Sequence, residues 1–146
     1  ISKEPIAPKW TIPIKDNRVM KPFNHQLREE NSSAPYFDKD AALEYAIEKY
    51  RLNLQIPAPQ NGKNGGRFNH FEIAYETQTT NGAAATVVTK AYPKNIGRAR
   101  KYWEDPTTVS LPINRFPRNT PFKITVTPIS DWGKKGKQIR TEEIKY

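Results

Sequence analysis

Cysteine is absent from this 146-residue chain, so no disulfide, thiolate metal site or cysteine nucleophile can form. Histidine is scarce. His25 and His70 lie on different segments, and neither has a metal-ligand neighbour at useful spacing. Glycine is outnumbered by proline, 7 to 13, which points to many turns and few long helices. No apolar run reaches the ~18–20 residues of a membrane span, so no transmembrane segment is expected. Acidic residues are in deficit: 15 Asp and Glu face 24 Lys and Arg, for a net charge of +9. Such a balance attracts phosphate or an anionic surface. The charges are dispersed, however, with only short clusters, as on a solvated basic surface. Nucleic acid is not an expected partner.

Catalytic motifs are missing as well. The run Gly62-Lys63-Asn64-Gly65-Gly66 is glycine-rich but lacks the spacing of a phosphate-binding Walker loop, and reads as a flexible loop. No Gly-x-Ser-x-Gly elbow is present. The acidic pairs Glu29-Glu30 and Glu142-Glu143 are sequence neighbours, so on a strand they diverge and do not face each other across a substrate. No catalytic residue, metal ligand or cofactor site is expected in this chain.

What the chain does have is alternation. Hydrophobic residues make up 36% and aromatics 11%, while the mean hydropathy is −0.84, which suits a narrow core between two layers. In residues 109–137, Val109, Leu111 and Ile113 face one way and Phe116 stands at a proline-rich corner. Phe122, Ile124 and Val126 then face the core from the next strand, with Lys123, Thr125 and Thr127 toward water. Phe71, Ile73 and Tyr75 alternate with Glu72, Ala74 and Glu76, and Asn81-Gly82 marks a hairpin. Residues 86–92 and 139–144 read as further strands. Residues 38–54 are ambiguous. Leu43, Ile47, Tyr50 and Leu54 have helical spacing, but Leu43, Tyr45 and Ile47, then Leu52, Leu54 and Ile56, alternate. Two strands with a turn near Glu48-Lys49 are favoured, with a helix as the alternative for the first half. The total of about seven short strands is the pattern of an Ig-like sandwich.

The N-terminal region differs. Pro5, Pro8, Pro13, Pro22 and Pro35 break any long element, and Trp10, Ile12 and Ile14 could add one edge strand between prolines. Residues 1–35 are therefore expected to be an extended arm or linker from a preceding domain, and residues 36–146 the sandwich. The chain opens on Ile1, so a fragment or processed form is expected, with any targeting sequence removed.

The run Phe116-Pro117-Arg118-Asn119-Thr120-Pro121-Phe122, the alternating KITVTPIS, the turn DWGKKGK and the strand Phe71-Glu72-Ile73-Ala74-Tyr75 together resemble a fibronectin type III domain. Two positions depart from that family. Phe122 takes the place of the corner tyrosine, which removes its hydroxyl bond to the backbone. Ile56 stands where a core tryptophan is usual. A narrower resemblance links Pro35-Tyr36-Phe37 and ITVTPISDWGKKGK to C-terminal sandwich domains of bacterial calcineurin-like metallophosphoesterases. The metal motifs of those enzymes (Asp-x-His, Gly-Asp-x-x-Asp and Gly-Asn-His-Glu) are missing, so any activity would reside upstream. The expected fold is thus an all-β, antiparallel Ig-like (fibronectin type III-like) two-sheet sandwich with an extended proline-rich N-terminal arm. The resemblance implies a non-catalytic accessory domain of a larger exported bacterial enzyme, secreted, periplasmic or at the cell surface. Its partner would be the neighbouring domain of the same polypeptide.

Two clusters are candidate contacts. Arg98, Arg100, Lys101, Tyr102 and Trp103 combine cations with aromatic rings, as a surface stacking on sugars or docking on an acidic partner would. Trp132 with Lys134 and Lys135 sits at the expected turn between the last strands, where a loop-tip tryptophan can anchor a ligand. The alternative function is therefore a module binding a glycan or other anionic ligand. Against it, either tryptophan could instead cover the end of the core.

Overall fold

The computed structural model describes residues 30–93 and 105–146. The strands are β1 (Glu44–Glu48), β2 (Arg51–Ile56), β3 (Phe68–Thr79), β4 (Gly82–Ala91), β5 (Thr107–Pro112), β6 (Phe122–Ser130) and β7 (Ile139–Arg140). They form a three-stranded sheet in the order β1-β2-β5 and a four-stranded sheet in the order β4-β3-β6-β7. Every pairing is antiparallel. The fold is an all-β sandwich.

Alternation builds the layers. Leu52, Leu54 and Ile56 of β2 and Phe71 and Ile73 of β3 are sealed from solvent, as are Ile124 and Val126 of β6. Each such side chain contributes about 1.5–3 kcal/mol on leaving water. Aromatic rings finish the core. Phe116 and Phe122 stack with centroids 5.3 Å apart, and Phe68 tilts against Phe71 at 4.6 Å. Ile56 is fully buried in this cluster.

Residues 44–48 are strand, not helix. Their partners run from Glu44↔Gln55 to Glu48↔Arg51, and Lys49 at φ 55° closes the turn. The expectation that Thr125 faces water is corrected: it is buried. It lies between Ala74 on β3 and Arg140 on β7, and its hydroxyl donates to the Ala74 carbonyl at 3.4 Å. The last strand is shorter than expected. The ladder ends after Arg140; the Thr141 N–H still donates to the Ile124 carbonyl at 2.9 Å, and the next bridge to β6 is Phe122↔Ile144, with one extra residue in between. Thr141 fills that irregularity, its Oγ1 accepting from the Ile124 N–H at 3.0 Å.

At the proline-rich corner the Tyr146 hydroxyl donates to the Ile113 carbonyl at 2.9 Å and the Phe116 carbonyl at 2.6 Å. The Tyr146 ring stands edge-on to Phe122 at 6.4 Å. Tyr146 therefore lies where β6 begins. The chain arrives at the sandwich where β6 ends, as described next.

Candidate functional site

Residues 30–37, the lead segment, run into a cradle made by two loops at one pole of the sandwich. The first loop, residues 60–66, closes on itself through Gly62 N–H to the Gly66 carbonyl at 2.6 Å and Gly66 N–H to the Lys63 carbonyl at 3.0 Å. Asn64 turns it at φ 55°. Asn61 Oδ1 ties it to β3 by accepting from the Phe68 N–H at 2.8 Å. The second loop, residues 131–137, folds over Ser130, whose Oγ accepts from the N–H groups of Trp132 and Lys134, both at 3.1 Å.

The lead segment is bonded to both. Tyr36 and Gln60 exchange backbone bonds at 3.0 and 2.7 Å. Ser33 N–H donates to the Lys63 carbonyl at 3.1 Å, and Lys63 N–H donates to Ser33 Oγ at 2.6 Å. Asn64 Nδ2 donates to the Asn31 carbonyl at 2.8 Å. From the other side, the Lys134 ammonium donates to the Ser32 carbonyl at 2.6 Å and the Glu30 carbonyl at 3.2 Å. Pro35 is fully buried and Ser32 nearly so. Phe37 stacks on Phe71 with centroids 6.0 Å apart.

Glycine is required where backbones touch. A Cβ on Gly66 would overlap the Ser33 carbonyl, and one on Gly136 would overlap the Pro35 carbonyl. The glycine run that reads in sequence as a flexible loop is thus a close-approach surface. The two loops and the lead segment form a clasp.

Trp132, Lys134 and Lys135 meet at this pole. Trp132 is half-buried. Lys134 holds the lead segment, and Lys135 pairs with Glu72 at 3.4 Å. Arg98, Arg100, Lys101, Tyr102 and Trp103 lie outside the described residues, as do Trp10 and His25. Asn31, Ser33, Asn61 and Asn64 are clasp residues that sequence reasoning missed. The one signal for them was the glycine cluster beside them.

Beside the clasp, Asn69 is the extra residue of a β3 bulge opposite β6. Its Nδ2 donates to Asp131 Oδ1 at 2.8 Å, and its Oδ1 lies 2.7 Å from His70 Nδ1. His70 leans on Tyr92 with centroids 5.1 Å apart. Its pKa is lowered by burial first and by Lys90 second, with Glu72 opposing. Among the described residues no group of three or more His, Asp and Glu side chains could hold a metal ion. Nor is any helix among them long and apolar enough to cross a membrane. The chemistry on offer is backbone capture of an extended segment. No protein-family model matches the chain, and no curated protein is similar to it.

Proposed function

We propose that this chain is a fibronectin type III-like accessory domain of a larger exported bacterial protein, positioned against the domain before it by the clasped lead segment. The clasp carries the reading. A segment joining two independent bodies would leave its backbone to water, whereas here the segment is bonded from two sides and its proline is buried. Fixing residues 30–37 fixes the point on the sandwich at which the preceding chain meets it.

In the immunoglobulin constant arrangement the fourth strand joins the sheet of the first, second and fifth. Here β4 pairs with β3 instead, so the sandwich does not have that constant arrangement. The Tyr146 hydroxyl restores the corner bond from a different position. The metallophosphoesterase resemblance makes a metal-dependent phosphoesterase the proposed class of preceding domain. The competing reading, a glycan or anionic-ligand module, has less support, because Lys134 and Lys135 are engaged within the chain.

The test is the mass of the native polypeptide, detected with an antibody to the sandwich and sequenced by tandem mass spectrometry. A polypeptide much larger than 16.8 kDa, with a catalytic domain ahead of the lead segment, is expected. A mature protein of about that mass acting alone would refute the proposal.

A further inference from the structure

Natural sheets protect their edges with charge, proline, short length or bulges, because an unpaired edge is a template for another strand. Among the described residues the two sheets have four edges, and three of them follow that rule. β1 carries Glu44 and Glu48, both exposed. β7 is two residues long. β5 ends in Pro112, and Arg51 donates to its Ser110 hydroxyl and carbonyl, both at 3.0 Å.

β4 does not. Residues 82–89 read GAAATVVT, with no charge and no proline, in a chain of 27% charged residues. Ala83, Ala84, Ala85, Thr86 and Val87 are all exposed, Val87 at 60%. The open stretch has a defined end. Val88 is the extra residue of a bulge, since Ile73 pairs with Thr89 and Ala74 with Val87, and its carbonyl is taken by Arg115.

We infer that the β4 edge pairs with the β4 edge of a second copy, antiparallel about a two-fold axis at Ala85. Ala85 is the midpoint of the five exposed residues. This register sets Ala84 against Thr86 and Ala83 against Val87, and leaves Lys90 beyond the paired stretch. A chain of net charge +9 repels its own copy, so a self-contact must lie where no cation faces a cation, and this edge meets that condition. Its alanines are small enough for two bulky bodies to approach. The contact is isologous and closes on itself, and it joins the two four-stranded sheets into one. It does not depend on the clasp.

Sedimentation of the full chain over a concentration series tests it, with Ala85→Lys as the breaking variant. That change places two lysines directly opposite each other. Wild type is expected to dimerise, and Ala85→Lys to weaken the dimer about two- to fivefold with an unchanged circular dichroism spectrum. The absence of native cysteine allows a second readout. Ala85→Cys would face its own copy at a Cα separation of about 4.5–5.5 Å, within disulfide range. Ala83→Cys would lie about 14 Å from its copy, out of reach. Oxidation should therefore cross-link the first variant and not the second. Wild type that stays monomeric, a dimer indifferent to Ala85→Lys, or equal cross-linking of the two cysteine variants would each overturn the inference.

Discussion

Tyr146→Phe isolates one proton. The Tyr146 hydroxyl donates into the space between the Ile113 and Phe116 carbonyls, 2.9 and 2.6 Å away. The substitution keeps the ring against Phe122 and the backbone bond from Asn119 N–H to the Tyr146 carbonyl at 2.8 Å. What is lost is the donor. A neutral hydrogen bond contributes about 1 kcal/mol net, and although the Ile113 carbonyl keeps the Phe116 N–H at 3.1 Å, the Phe116 carbonyl loses this donor, so about 1–2 kcal/mol is expected. For a domain of this size that is a fall in Tm of roughly 4–12 °C, or roughly 0.5–1 M in the urea midpoint at unchanged slope. Tyr75→Phe is the control. The Tyr75 ring packs on the same Phe116 and Phe122 at 5.8 and 6.0 Å, but its hydroxyl makes no hydrogen bond within the described residues. Removing it should change stability by less than about 0.5 kcal/mol. If the two variants unfold together, the corner bond contributes nothing and the reasoning fails.

Two further outcomes follow from the pole that holds the lead segment. Gly136→Ala drives a methyl group into the Pro35 carbonyl and should cost about 1–3 kcal/mol, with faster amide exchange at Ser33 and Tyr36; unchanged exchange there would show that the segment does not need the close approach. Burial, aided by Lys90 and opposed by Glu72, holds His70 below its usual value of 6.5. The unfolded chain therefore takes up a proton that the folded protein resists. The associated stability is whole above about pH 6.5 and is lost as pH falls through the lowered folded value. An NMR titration of His70 with a midpoint at or above 6.5 would contradict this.

Strand positions were legible because a half-buried strand must alternate, and β2, β3 and β6 do so with few exceptions. Leu43 and Ile47 fit a helix equally well, and the choice rested on Leu52, Leu54 and Ile56 continuing the two-residue period. Thr125 was misread because alternation gives a side, not its cover. The outer face at Thr125 is roofed by Arg140, which reaches Glu76 at 3.4 Å. The Tyr146 corner was illegible, since its donor and acceptors are separated by 30 and 33 residues and no local pattern joins them. The clasp was half legible. Glycines marked where something comes close, but not that Ser33 and Pro35 of the same chain are what come close.

The Lys134 grip on the lead segment and the Tyr146 corner sit at opposite ends of β6. Nine residues of strand separate them, about 27 Å at roughly 3.4 Å per residue. The sandwich is therefore a strut. A pull applied at Tyr146 along β6 would load the antiparallel Phe122–Ile144 pair in shear instead of peeling it open.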